Sequence, residues 1–336
     1  MKVLLNCQLP FALAHGGQQI QIERTQAGLR ACGVEAEPLR WWDDRQTGDL
    51  IHCFGRMPAG QIQLARQKGI RVVMAELLTG PGSRTRGQLR LQRLISQTVK
   101  TFAPGSFTAP FNWESYQLAD ACVALTSWEA WLMTYLFRAP PARVHVVANG
   151  VEDEFLQSVP APRGPWLVCT ATIAERKRVL ELARAAVQAR APVWIIGRAY
   201  AESDPYARAF FDVARRHPEL VRYEGGINDR ARLAEIYRSA RGFVLLSTME
   251  SLSLSALEAA ACECPLLLSD LPWARCTFGA AASYCPVPKA AAASVPGLRE
   301  FYAAAPGLPV PPKPADWHQI GRELKAIYET VLSNSR

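Results

Sequence analysis

Ser247-Thr-Met-Glu250-Ser-Leu-Ser-Leu-Ser-Ala-Leu-Glu258-Ala-Ala-Ala261 is the stretch on which the reading of the fold turns. It follows the apolar run Gly242–Leu246, which reads as a buried strand. It enters an Ala- and Leu-rich segment that reads as a helix over Leu254–Cys262. A strand, a polar turn and a helix make half of a βαβ unit. Glu250 falls in the turn, and Ser251 and Ser253 are candidate caps. With the helix starting near Leu252, Glu258 lies about two turns into it. The first-turn N–H groups lack acceptors within the helix, and the helix dipole adds positive potential there. Such a terminus suits a diphosphate. A carboxylate at Glu258 can accept hydrogen bonds from a pair of sugar hydroxyls. On spacing alone the two glutamates also fit a cap and a surface residue, because E-x7-E arises by chance.

The same alternation continues outward. In the second half, strands are expected at Trp166–Thr170, Pro192–Ile196, Val221–Glu224 and Pro265–Ser269, with helices over Val179–Arg190, Ala207–Arg216 and Arg230–Ala240. In the first half, strands are expected at Lys2–Asn6, Val34–Leu39, Asp49–Phe54, Ile70–Ala75, Ala121–Leu125 and Val144–Val147. A helix over Gln18–Cys32 stops at Gly33. The fold class is therefore α/β, with two Rossmann-like, doubly wound parallel-sheet domains facing a cleft. The Pro- and Gly-containing stretch Val159–Pro165 reads as a linker. Val287–Pro314 reads as loop with one helix around Leu298–Ala303. Apolar residues at 317, 320, 324, 327, 328, 331 and 332 predict an amphipathic helix over Trp317–Leu332. The expected domains are 1–158, 159–315 and a terminal helix over 316–336.

Of the 336 residues, 49% are hydrophobic and 20% charged, which excludes disorder as the dominant state. No apolar run approaches the ~18 residues of a membrane span. The N-terminal apolar run is broken by Asn6, Gln8 and Pro10, a poor signal peptide. A cytoplasmic protein is expected, with its nine cysteines reduced, since none forms a C-x-x-C pair. The 38 Lys and Arg against 30 Asp and Glu give a net charge of +8. That balance suits a nucleic acid, an anionic surface or a phosphorylated substrate. The basic residues cluster in SRTRGQLRLQRLISQTVK (Ser83–Lys100), with Arg84, Arg86, Arg90, Arg93 and Lys100 and no acidic residue. A single basic helix is not a nucleic-acid footprint, so no nucleic acid is expected. With Leu89, Leu91, Leu94 and Ile95 the segment makes an amphipathic helix. It either meets an anionic membrane or a phosphorylated acceptor, or is a solvated helix over the first sheet. Phe102, Phe107, Phe111 and Trp113 either line an acceptor cleft or pack in the core.

Several stretches, in order, resemble the family 4 glycosyltransferases of GT-B fold (glycosyl transferases group 1). The E-x7-E helix resembles that family's signature. Gly16-Gly17 is similar to its N-terminal Gly-Gly loop. Ala119-Asp-Ala-Cys-Val-Ala-Leu-Thr-Ser127 and Val144-His-Val-Val-Ala-Asn-Gly-Val151 resemble its "aD-x-v-i-x-x-S" strand and "v-i-x-N-G-v" turn. Ile195-Ile-Gly197, Tyr223-Glu-Gly225 and Phe243–Ser247 resemble its second-domain strands, and Asp316–Tyr328 its terminal helix. The resemblance implies a retaining, metal-independent transfer of a sugar from a nucleotide sugar, UDP- or GDP-linked, to a glycan, lipid-linked or small-molecule acceptor. It implies that Glu250 touches donor-sugar hydroxyls and Glu258 the ribose hydroxyls. The turn of Ser251 and the amides of Leu252, Ser253 and Leu254 would cradle the diphosphate. Gly17 would approach a donor phosphate, and Gly226 and Ile227 would lie against the base.

Lys177, in Ala174-Glu-Arg-Lys-Arg178, matches the family's donor-phosphate lysine. A fixed cation there neutralises a leaving diphosphate, although such runs are also common solvated turns. The family's arginine five or six residues earlier is replaced by Ala171 and Thr172, which leaves Arg176 or Arg178 as the second cation. Glu76 stands where the family has a reaction-centre histidine. It either orients the acceptor hydroxyl, acts as its base, or is an ordinary strand-end residue. Gly16, His15, Arg84 and Arg86 are acceptor-side candidates. Glu263 replaces a helix-ending glycine, which strains the backbone if that position is left-handed. No D-x-D occurs, and neither Asp43-Asp44 nor Glu152-Asp-Glu154 has metal-site spacing. The competing readings are a nucleotide-sugar 2-epimerase of the same architecture and a non-catalytic two-lobed binding protein.

Overall fold

The computed structural model describes residues 1–7, 11, 16–102, 111–159, 161–286 and 291–333. His15 and Phe107 lie outside the described residues. The chain divides into two compact units, 1–149 with 317–336, and 150–316.

The first unit is built on a six-stranded sheet in the order β2-β1-β3-β4-β5-β6, every pairing parallel. The strands are β1 (Lys2–Cys7), β2 (Glu35–Pro38), β3 (Leu50–Phe54), β4 (Arg71–Met74), β5 (Ala121–Ala124) and β6 (Val144–Val146). Central strands of a parallel sheet are covered on both faces and read as continuous apolar runs. Leu50, Val72, Val73, Met74 and Cys122 are accordingly buried. Helix α1 (Gly17–Ala31) follows β1 and ends at Gly33, whose φ of 77° is left-handed. It is crossed by the C-terminal helix α11 (Trp317–Ser333). The crossing is close because both helices carry glycine there. A Cβ on Gly28 would sit 2.3 Å from the Trp317 carbonyl oxygen, and one on Gly321 2.4 Å from that of Gly28. Beneath it, the buried His52 of β3 bonds through Nδ1 to the Tyr328 hydroxyl of α11. Burial drops the His52 pKa to about 3, so the ring is neutral.

The second unit has the order β12-β11-β10-β7-β8-β9, again all parallel. Its strands are β7 (Leu167–Thr170), β8 (Val193–Ile196), β9 (Val221–Tyr223), β10 (Gly242–Leu245), β11 (Leu266–Ser269) and β12 (Ser283–Cys285). The sequence reading had no β12. It is a three-residue edge strand without an apolar run, and pairing with Leu267–Ser269 makes it. The stretch Val159–Pro165 lies inside this unit. Its Gly164 N–H donates to the Ser239 carbonyl at 2.7 Å, and Arg163 reaches the carbonyls of Ala240 and Glu263. The chain enters and leaves the unit side by side, with the Val151 N–H bonded to the Ala315 carbonyl. Helix α10 (Val295–Ala304) starts three residues earlier than the sequence pattern suggests, with proline in its first turn. Helices α2 (Ala59–Gln67), α3 (Arg86–Phe102) and α4 (Ser127–Phe137) belong to the first unit. Helices α5 (Val179–Ala189), α6 (Pro205–Arg216), α7 (Arg230–Ser239), α8 (Leu254–Ala261) and α9 (Pro272–Phe278) belong to the second.

Candidate active site

In the second sheet the strand order reverses between β7 and β10. Open α/β sheets bind ligands beyond the carboxyl ends of strands at such a switch point. Two turns meet there. After β7 comes the single 3-10 turn Glu175–Lys177, and after β10 comes Ser247–Ser253. They are zipped together, since the Thr248 N–H and hydroxyl both donate to the Arg176 carbonyl, at 2.9 and 3.2 Å.

On this clamp the Lys177 ammonium makes an ion pair with Glu250 Oε1. Arg176 Nη1 lies 3.5 Å from the same oxygen and donates to the Met249 carbonyl at 2.9 Å. The Lys177 and Glu250 side chains are only 14% and 10% exposed, so their interaction is weakly screened. Arg178 closes the turn in a left-handed conformation (φ 54°), a strained position for a residue with a Cβ.

Helix α8 begins at Leu254. Ser253 is its cap, with Oγ accepting from the Ala256 N–H at 3.3 Å. That leaves the N–H groups of Leu254 and Ser255 as the open donors of the first turn. Ser251 and Leu252 are buried within the turn. Glu258 is a little more than one turn into the helix rather than two. It is buried, not a surface residue. Arg230, at the start of α7, pairs with its Oε1, and the Tyr237 hydroxyl donates to Oε2 at 3.3 Å. Burial pushes the Glu258 carboxyl above its ordinary range, and Arg230 works against that shift.

Arg230 is the residue that sequence reasoning missed. Its guanidinium also lies 3.1 Å from the buried Glu152, just past Asn149-Gly-Val151, and stacks over Phe155 at 4.7 Å. The available signal was indirect: a buried carboxylate in a helix requires a cation, but spacing does not say which. Gly226 faces Arg198, whose Nε would be 3.0 Å from an added Cβ, and Ile227 is half-buried. At the end of β8, a Cβ on Gly197 would lie 1.9 Å from the Ala171 carbonyl, so only glycine fits against the strand leading to the Lys177 turn.

The other candidates lie in the first unit. Glu76 follows β4, and both of its oxygens hold partners. Arg56 donates to them at 2.7 and 3.1 Å, and the Tyr116 hydroxyl at 2.5 Å. Arg56 in turn stacks over Phe137 at 4.5 Å. Gly16 caps α1 and Gly17 opens it, and nothing lies within 4 Å of a Cβ built on Gly16. Arg84 donates to Gln92 at 2.6 Å, and Arg86 is exposed at the head of α3. The structure therefore brings Arg176, Lys177 and Glu250 together. It sets Glu258 in a second cluster of the same unit, and leaves Glu76, Gly16, Gly17, Arg84 and Arg86 in the other unit. Among the described residues no three His, Cys, Asp or Glu side chains gather as a metal site. No described helix is long and apolar enough to cross a membrane.

Residues 164–295 match the glycosyl transferases group 1 family. No curated protein matches the chain. Among solved structures it is similar to a sucrose-phosphate synthase from Thermosynechococcus elongatus. The TM-score is 0.64 and the identity 17%, covering 99% of this chain and 96% of that one. It is also similar to Anabaena HepE in complex with UDP and glucose (TM-score 0.63, 13% identity, 98% and 100% covered). A glycosyltransferase from Rickettsia africae gives 0.65 at 11% identity, with 99% of each chain covered. The fold is thus the α/β GT-B fold. The chain carries a glycosyltransferase domain, and it is an enzyme of that class.

Proposed function

We propose that the chain is a retaining glycosyltransferase of family 4 type that takes its sugar from a nucleotide sugar without a metal. The observation that carries this is the convergence of Lys177 and Arg176 on Glu250 beside the start of α8, inside the segment that matches the family. In the reaction the bond from the anomeric carbon to the diphosphate oxygen breaks. An acceptor hydroxyl bonds to that carbon on the same face, and its proton passes to the leaving diphosphate. Lys177, Arg176 and the open N–H groups of Leu254 and Ser255 stabilise the charge that develops there. Glu250 then shares Lys177 with the diphosphate and turns its free oxygen to sugar hydroxyls. Glu258 accepts from the ribose diol, and the base lies at Gly226 and Ile227.

The acceptor, a glycan, a lipid-linked sugar or a small molecule, is assigned to the first unit. There Glu76, held by Arg56, orients its hydroxyl. The protein acts in the cytoplasm in this reading, and residues 84–100 are where it would touch an anionic membrane.

A thermal-shift panel of UDP, GDP, ADP and dTDP sugars tests the donor assignment. UDP-glucose comes first, because HepE is similar in fold and holds UDP and glucose. One donor is expected to raise the melting temperature, and Glu258→Ala and Lys177→Ala each to abolish the rise. A full shift in both variants would make the site wrong. Release of an epimer from donor alone would replace transfer by 2-epimerisation.

A further inference from the structure

The basic helix α3 is half unpartnered. Leu89 is buried, and Arg93 stacks on Tyr135 at 4.4 Å. On the opposite side Leu91, Leu94, Ile95 and Phe102 are 57, 62, 54 and 81% exposed. A groove of about 560 Å³ runs along this helix, between it and the end of α4. Leu91, Ile95, Val99, Trp113 and Phe137 form its apolar wall, and Gln88, Gln92 and Gln97 add amides. That volume falls in the range of small-molecule sites, which are mostly apolar with a few placed polar groups.

Three cations, Arg84, Lys100 and Arg138, also line it, and Arg84 is held by Gln92 at 2.6 Å, which leaves Lys100 and Arg138 as the pair considered for a ligand. The Lys100 ammonium lies over the Trp113 ring at 5.2 Å. Burial, and then repulsion by Arg138, hold it below the ordinary lysine range, and Glu114 acts in the other direction. Arg138 follows α4 in a left-handed conformation, its N–H bonded to the Met133 and Thr134 carbonyls, which fixes where the side chain departs. The segment Ser83–Phe102 carries no carboxylate, and Glu114 is the carboxylate that acts on Lys100, a single negative charge against the two cations. Two like charges beside an apolar trench are relieved by an incoming anion. Along the wall of Leu91, Ile95, Val99, Trp113 and Phe137 a glycan's hydroxyls would lose water without gaining partners, whereas a hydrocarbon is favoured there. A hydrocarbon chain ending in phosphate matches both parts.

We propose that this groove holds the hydrocarbon chain of a phosphate-bearing lipid acceptor, with the phosphate on Lys100 and Arg138. This rests on the transferase reading and narrows the acceptor to the lipid-linked class.

Calorimetric titration of the full chain tests it, with farnesyl phosphate below its aggregation concentration, farnesol and inorganic phosphate. Farnesyl phosphate is expected to bind saturably, farnesol about tenfold more weakly, and inorganic phosphate not at all. Ile95→Asp, at a half-exposed position, is expected to lose both lipids. Lys100→Gln with Arg138→Gln is expected to bring farnesyl phosphate down to the level of farnesol. Equal binding by wild type and Ile95→Asp overturns the proposal. So does a response confined to anionic phospholipid vesicles, which makes the face a bilayer contact. The donor-induced thermal shift is read alongside. A shift without lipid binding sinks this inference alone, whereas no shift with any donor sinks the transferase reading.

Discussion

Glu258 sits where ionisation is opposed, and Arg230 is what keeps it workable. Burial raises the folded pKa above the ordinary 4.5. A raised carboxyl contributes stability while protonated, and that stability is lost as pH rises from the unfolded value through the folded one. Arg230 limits this loss, since its charge pulls the Glu258 pKa back down. Arg230→Met is therefore expected to be nearest wild type below pH 4.5 and to fall behind as pH rises to 7. The loss at neutral pH should be about 3 kcal/mol, as for other buried pairs stripped of one partner. Urea unfolding at both pH values checks this, and a gap independent of pH would contradict it. At this scale the sequence was legible unevenly. The two glutamates and Lys177 stand in a motif, and Ser253 is a cap by residue type. Arg230 is 28 residues from its partner. At the head of a helix it reads as an ordinary solvated arginine.

The crossing of α1 and α11 depends on two glycines that a helical pattern does not call for. Gly28→Ala would drive a methyl group into the Trp317 carbonyl, and the helices must separate to admit it. A destabilisation of about 1–3 kcal/mol is expected for an overpacked contact of this kind. Gly60→Ala is the control, because nothing lies within 4 Å of its added Cβ. It should change stability by less than about 0.5 kcal/mol. Thermal melts of the two variants separate the cases. The terminal helix itself was plain from its apolar spacing, but its partner helix was not, because periodicity marks a face without saying what covers it. Left-handed residues behave similarly. Glu263 (φ 58°) was foreseeable, because it replaces a glycine at a helix end. Arg138, Arg178 and Arg190 adopt the same conformation where no local residue preference announces it.

Across the whole molecule, Cys276 is exposed, Cys7 and Cys32 are half-buried and the other six cysteines are buried. Burial pushes the thiols of Cys53, Cys122, Cys169, Cys262 and Cys264 up to about 12. An Ellman titration of the native chain should show Cys276 reacting first and these five only on unfolding. Fast reaction of all nine would contradict the packing. The basic charge is just as unevenly placed, with five of its cations between Arg84 and Lys100. The alternation of strand and helix made both sheets readable from sequence. The order of strands within them was not, because pairing is set by long-range contacts. The first unit is discontinuous, with residues 317–336 joining 1–149 only after the whole second unit has intervened. A ribosome adding about 5–20 residues per second therefore releases the second unit's residues before the first unit has its last helix. The portion begun first is completed last. Every nascent chain thus passes through a stage in which the face of α1 awaits its cover, a window for chaperones and proteases that closes only once residues 317–336 have emerged.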